Sequence, residues 1–164
     1  MIKVTVLGSG TSQGIPIVGC TCTTCLSANP KDKRLRVSVF ADIDDGNKKL
    51  KILIDTSPDF RQQMLRYKIF DIDAVLYTHH HVDHIMGLDD IRQINQLQKK
   101  SVELYGNEHT MNYIKNVFSY VFDTNTYKGG GIPNVKIKII NLEKFFVKDI
   151  KIKYQFGWEK IINK

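Results

Sequence analysis

The chain has 164 residues, 42% of them hydrophobic and 25% charged, a length and balance that suit one globular domain with its own core. No run approaches the ~20 apolar residues that a helix needs to cross a bilayer, so a helical membrane span is excluded. Twenty-four basic against 17 acidic side chains leave a net charge of +7, which favours an anionic partner such as a phosphate ester; nucleic acid is the less favoured partner, because lysines such as Lys136, Lys138, Lys148, Lys151 and Lys153 also suit a solvated face.

Met1 to Gly8 reads as a strand rather than a secretory signal, which lacks neither a charged start nor a long apolar stretch, and the expected compartment is the cytoplasm. Gly8 to Gly14 (GSGTSQG) has neither the Lys-Ser/Thr ending of a phosphate-binding loop nor dinucleotide-type glycine spacing, so it is expected as a tight turn that lets backbone pass close to the functional site. All three cysteines then fall in a Cys-x-Cys-x-x-Cys knuckle, Cys20, Cys22 and Cys25. That spacing can present three thiolates to one structural zinc; a disulfide with one leftover thiol and ordinary buried cysteines are the alternatives, the former disfavoured by a reducing compartment.

Residues 36–43 alternate as a strand, Asp44-Asp45-Gly46-Asn47 turns it, and 49–55 returns as the second arm of a hairpin ending at Asp55. Ser57 to Tyr67 reads as a helix with Ser57 as N-cap and Pro58 at the first position; its Arg61 is expected on the surface. Ile72 to Tyr77 is a β-branched, apolar run expected as a buried strand. It leads straight into Thr78-His79-His80-His81-Val82-Asp83-His84, which holds four of the five histidines.

In extended backbone, residues two apart point the same way, so His79 and His81 can grip one cation while His80 points away. After Val82 the chain turns, and Asp83 with His84 can reach a second cation. Imidazole and carboxylate together suit zinc, manganese or iron(II). A tag remnant or a solvated loop is the bland alternative, but this cluster lies inside the chain between a strand and a helix. Further on, Gly87 to Leu97 has helical spacing at Leu88, Ile91, Ile94 and Leu97, and 102–105 is a short strand. Asn107 opens a helix with an apolar face of Met111, Ile114, Val117, Phe118 and Val121, and His109 in its first turn is expected as an isolated surface residue. Gly129-Gly130-Gly131 reads as a turn, and strands are expected over 135–140 and 149–156.

The His-x-His-x-Asp-His pattern resembles the signature of the metallo-β-lactamase-fold hydrolases. Combined with the glycine loop, the cysteine knuckle and Asp32-Lys33-Arg34-Leu35-Arg36, it resembles the PhnP-like branch, the phosphoribosyl cyclic phosphodiesterases and their relatives. The resemblance implies an α/β fold, the N-terminal portion of a metallo-β-lactamase αββα sandwich, with residues 1–164 as a single incomplete domain. It implies a catalytic centre of two divalent cations, Zn or Mn, with His79 and His81 on the first metal and Asp83 and His84 on the second. Asp55 resembles the aspartate that orients a ligand imidazole in this fold, the alternative being a cap for the following turn. The knuckle would hold one structural Zn, its fourth ligand being a distant histidine in the family.

The implied activity is a metal-dependent phosphodiesterase acting on a small cyclic phosphate or other phosphodiester. A hydroxide activated by two metals would attack phosphorus in line, and Asp83 would manage its proton. A third histidine for the first metal, a bridging aspartate and a last histidine, found in family members, have no counterpart after His109, and the segment from Tyr154 onward does not resemble the family's continuation. The chain is therefore expected to be truncated and nearly inactive alone. It would act as an inactive metal-binding fragment or as half of a homodimer that completes the sites; a tRNA 3′-processing-type nuclease is the alternative enzyme.

Overall fold

The structure is a computed structural model that describes residues 1–123, 125, 129, 131–141 and 144–153. Strand β1 (Ile2–Gly8) pairs antiparallel with β2 (Ser38–Asp44), and β2 with β3 (Lys49–Ile54), the hairpin expected around Asp44 to Asn47. From β3 the sheet continues in parallel through β4 (Ala74–Leu76), β5 (Val102–Gly106) and β6 (Val135–Ile139), giving one six-stranded sheet in the order β1 to β6. The parallel half requires crossovers. They are supplied by α2 (Phe60–Tyr67), by α3 (Val82–Ile85) with a 3-10 turn at Met86–Asp90 and α4 (Ile91–Gln98), and by α5 (Glu108–Val117) with α6 (Ser119–Phe122). A one-turn helix α1 (Thr23–Leu26) carries Cys25.

The strands alternate their side chains between two buried clusters. Leu7, Phe40, Leu53, Val75, Tyr77 and Leu104 face the helices and pack with Phe60, Met64, Leu88, Ile91, Met111 and Ile114. On the other face Leu50, Ile52, Ala74, Leu76 and Tyr105 pack with Phe145 and Val147 of β7 (Lys144–Val147), which pairs antiparallel with β8 (Ile150–Lys153). Helices, a sheet and part of a second sheet are the layers that the resemblance implies. Asp73 pins the hairpin to the main sheet: its carboxylate accepts from Lys100 Nζ at 2.7 Å, Lys148 Nζ at 2.6 Å and the Lys51 backbone N–H at 2.9 Å. Val4 and Ile2 lie opposite Ala41 and Ile43, which pack on the second cluster, so they share that face; they remain 61% and 67% exposed. Among the described residues no helix is long and apolar enough to cross a membrane.

Several boundaries differ from the sequence reading. Ser57 and Pro58 precede the helix: Ser57 Oγ accepts from Asp59 N and its carbonyl accepts from Phe60 N, forming a turn, and α2 starts at Phe60. The helix expected from Gly87 begins as a 3-10 turn, because Gly87 is wedged against that turn. A Cβ there would lie 2.3 Å from Ser57 O and 2.5 Å from Phe60 Cβ. Phe118, at φ −107° and ψ 42°, interrupts the helix after Val117, which is 39% exposed rather than on the apolar face. The expected strand 149–156 is observed as Ile150–Lys153; its last residues, Gly130 and the segment 154–164 lie outside the described residues.

The glycine loop packs on the segment before β2: Gly10 N–H donates to Leu35 O at 2.7 Å, and Ile15 and Arg34 exchange backbone hydrogen bonds. A side chain at Gly10 would meet Arg34 O at 2.7 Å, so close backbone approach is what its glycine provides. Arg61 is exposed, as expected.

Candidate metal centre

The histidine cluster leaves the C-terminal end of β4, between two parallel neighbours, where open α/β sheets place their ligand sites. Asp55, at the same end of β3, is 2% exposed and holds a left-handed backbone at φ 59°, a conformation that aspartate tolerates better than most residues. The turn after it anchors the loop. Thr56 N–H donates to His84 O at 2.8 Å, Gly87 N–H donates to Thr56 O at 2.9 Å, and the Thr56 hydroxyl donates to Ile85 O at 3.1 Å. That hydroxyl also lies 2.8 Å from the Tyr77 hydroxyl. These buried bonds fix where α3 starts, and with it Asp83 and His84.

The donor atoms fall into two pairs. His79 Nε2 lies 3.1 Å from His81 Nδ1, and His84 Nε2 lies 3.2 Å from Asp83 Oδ2. Two nitrogen ligands at ~2.0–2.1 Å from one tetrahedral cation sit about 3.3 Å apart, so both separations suit ligands that share a cation. The pairs adjoin, with the His79 and His84 rings 4.0 Å apart between centroids. His79, His81, Asp83 and His84 are thus brought together as the sequence spacing predicts, and their chemistry fits divalent zinc or manganese.

Behind the pairs, one carboxylate sets both imidazoles. Asp55 Oδ1 accepts from Thr78 N–H at 2.8 Å, and Oδ2 accepts from the Thr78 hydroxyl at 2.7 Å and from His84 Nδ1 at 2.7 Å. His84 therefore carries its proton on Nδ1 and turns Nε2 toward Asp83. The Thr78 oxygen is also 3.0 Å from His79 Nδ1 and can accept its proton, leaving His79 Nε2 to face His81. Burial alone would lower the His84 pKa, but the Asp55 hydrogen bond and charge, with Asp83, raise it above the ordinary imidazole value. Burial and the neighbouring His84 and His81 lower that of His79. Asp55 is thus placed behind the histidines rather than serving as a simple turn cap. The part played by Thr78 was not anticipated; its position directly before the first histidine is the only sequence hint.

Cys20, Cys22 and Cys25 have their sulfur atoms within 4.8 Å of one another, and all three are free thiols. Thiolates on one tetrahedral zinc lie about 3.8 Å apart, so the knuckle fits such an ion after a small contraction. Ile17 N–H points at Cys25 Sγ at 3.5 Å. The Cys22 thiol is lowered to about 7, chiefly by the backbone at Cys25 and then by contacts with Cys20 and Cys25, which favours the thiolate that a metal needs. Among the described residues no fourth histidine, cysteine or acidic donor joins them.

His80 points away from the donor pairs, as expected. His109 is exposed, as expected, and its ring also meets that of His80 at 4.6 Å, with Tyr113 4.7 Å from His80. The contact depends on packing α5 beside the metal loop, for which the sequence has no local signal.

A family profile described as the beta-lactamase superfamily domain matches residues 51–156. The chain is similar to an octanoyltransferase of Porphyromonas gingivalis, 46% identical over 123 residues that cover 75% of this chain and 24% of that protein. It is similar to coenzyme PQQ synthesis protein B of Methylorubrum extorquens, 36% identical over 106 residues that cover 56% of this chain and 34% of that one. The crystal structure of a diphosphatase from the PhnP family superposes with a TM-score of 0.75 at 42% identity, over 89% of this chain and 53% of that one. Zn(2+)-bound PqqB from Methylobacterium extorquens follows at a TM-score of 0.66 and 26% identity, over 90% and 52% of the two chains. The chain thus spans about half the length of these solved structures, and less of the two curated relatives.

Proposed function

The chain belongs to the beta-lactamase superfamily as a PhnP-like protein of the metallo-β-lactamase fold, and from that premise we propose that it carries metal ligands of a phosphodiesterase acting on a small cyclic phosphate or other phosphodiester. The observation that carries this reading is the pair of donor contacts, His79–His81 at 3.1 Å and Asp83–His84 at 3.2 Å, with Asp55 fixing the imidazole tautomers behind them. The diphosphatase of the PhnP family, at 42% identity over 53% of its chain, favours phosphate chemistry over the acyl chemistry in the octanoyltransferase name, since the match covers only 24% of that second protein.

Two divalent cations held by these residues would supply Lewis-acid polarisation of the phosphate and acidify an attacking water. His79 Nε2 and His81 Nδ1 would hold one, and Asp83 with His84 Nε2 the other. Asp83, beside the second position, would also take the proton of the attacking water. Asp55 and Thr78 engage the Nδ1 atoms of His84 and His79 and so aim their Nε2 atoms at the cation positions. The knuckle would hold a structural zinc through Cys20, Cys22 and Cys25, away from the chemistry. The excess of basic side chains would favour an anionic substrate.

The described strands and helices would belong to one domain, since both buried clusters share one sheet. A second reading follows from the one histidine outside the cluster: the His109 ring lies against His80, not against the donor pairs. The ligands here would then bind cations without turnover unless further ligands come from other residues of a longer protein or from a second copy in a homodimer. Turnover of bis(p-nitrophenyl) phosphate and of a ribose cyclic phosphate, with and without chelator, tests the proposal on the full protein. Chelator-sensitive turnover that is lost in His81→Ala supports it. Turnover that survives either treatment removes the role assigned to the cluster.

A further inference from the structure

His80, His109 and Tyr113 form a cluster of polar rings that the metal centre does not use. His80 sits between His79 and His81 in sequence, and its ring turns toward α5. There it meets His109 edge-on, at 4.6 Å and 83°, and Tyr113 at 4.7 Å and 49°. His109 and Tyr113 are four residues apart, so they occupy one face of α5, and both are exposed, while Thr110, Met111 and Ile114 supply its buried side. On its other side His80 touches the His81 ring at 5.3 Å, which makes the cluster continuous with the first donor pair.

Here the ring nitrogens of His80 and His109 and the Tyr113 hydroxyl make no hydrogen bond to any described residue. The cluster therefore offers π faces, together with unspent donors and acceptors, next to the place where a phosphate would be held. That combination matches a planar heterocycle, which stacks on a ring and is read at its edge by hydrogen bonds. A purely aliphatic alcohol or a bare sugar would leave both properties unused.

We propose that His80, His109 and Tyr113 form a shelf that binds the planar base of a nucleotide whose phosphate occupies the metal centre. The proposal rests on the reading of His79 to His84 as that centre, but its test can be separated from it. Adenosine 5′-monophosphate and ribose 5-phosphate share a sugar and a phosphate and differ in the ring. Titration of each into the full protein, followed by calorimetry or by NMR of the histidine ring protons, is done first in excess chelator. Any preference found there owes nothing to a cation, so the result stands whether or not the cluster binds metal.

The shelf predicts that the adenosine nucleotide binds about tenfold or more tightly than ribose 5-phosphate. His109→Ala and Tyr113→Ala should each remove most of that preference, and Tyr113→Phe, which keeps the ring, should retain most of it. Both side chains are exposed, so neither variant is expected to unfold the protein. Repeating the series with a short single-stranded oligoadenylate tells a free nucleotide from the end of a nucleic acid as the source of the ring; sensitivity to His109→Ala supports the shelf in either case. No preference for the nucleotide either in chelator or with zinc restored, no detectable nucleotide binding even with zinc restored, or a preference that survives both alanine variants would overturn the proposal and leave the rings as packing between the loop and α5.

Discussion

Replacing Asp55 by asparagine isolates the carboxylate's charge from its shape. Asparagine tolerates the left-handed backbone at φ 59° as well as aspartate does, so no new strain accompanies the change. The amide oxygen can still accept from Thr78 N–H, now at 2.8 Å. The amide nitrogen then faces two groups that had donated to Oδ2 at 2.7 Å, the Thr78 hydroxyl and His84 Nδ1. Both must reverse, and His84 is driven to carry its proton on Nε2, the atom that faces Asp83. Loss of such an orienting partner typically weakens metal binding 10–100-fold, or about 1.4–2.8 kcal/mol.

In the metal-free protein the same change costs about 2–3 kcal/mol of folding stability, because a buried, charge-assisted contact is broken. Asp55 raises the His84 pKa, so this ionic contribution is complete below the ordinary value of 6.5 and fades as pH rises through the raised one. The destabilisation should therefore be larger at pH 6 than at pH 9. Competition with a chromophoric chelator gives the affinity, and chemical denaturation at the two pH values gives the stability. A variant with unchanged metal affinity and no pH-dependent loss would refute the orienting role.

Cys22→Ser should lower bound zinc, measured by elemental analysis, and lower the melting temperature, because the knuckle would lose one of three thiolates; unchanged metal content and melting would contradict it. Asp73→Asn should cost about 1–2 kcal/mol at neutral pH, a modest figure because its lysine partners are half exposed. Burial alone would raise the Asp73 pKa, but Lys100, Lys148 and the Lys51 N–H bring it below 3.8. Its contribution is thus present above that value and lost as pH falls through the lowered one, so acid titrations of wild type and variant should converge at low pH. Gly87→Ala should destabilise by more than about 2 kcal/mol by denaturation, since its Cβ would sit 2.3 Å from Ser57 O and force the metal loop off the turn beneath it.

What could be read from the sequence was what is local. The hairpin follows from alternating residues on both sides of Asp44 to Asn47, and the donor pairs follow from the two-residue period of extended chain carried into one helical turn at Val82. The start of α2 could not be read, because Ser57 has the chemistry of a cap but closes a turn of its own, accepting from Asp59 N–H and donating to Gln63, so that the helix begins only at Phe60. Strand β7 is too short, at Lys144–Val147, to show a period; it becomes a strand by laying Phe145 and Val147 on Leu50, Ile52 and Leu76. The contact of His80 with His109 depends on where α5 crosses the sheet, as does the role of Thr78 on the fold of β3 beside β4. These are tertiary facts with no signature in a window of sequence.

The central claim is that His79, His81, Asp83 and His84 hold divalent cations in two adjacent positions. Anomalous diffraction at the zinc absorption edge, from crystals of the full protein grown with zinc, tests it most directly. The account predicts density between His79 Nε2 and His81 Nδ1, further density beside Asp83 and His84 Nε2, and a separate peak at the cysteine knuckle. A knuckle peak with no density at the histidines and Asp83, under saturating zinc, would contradict it.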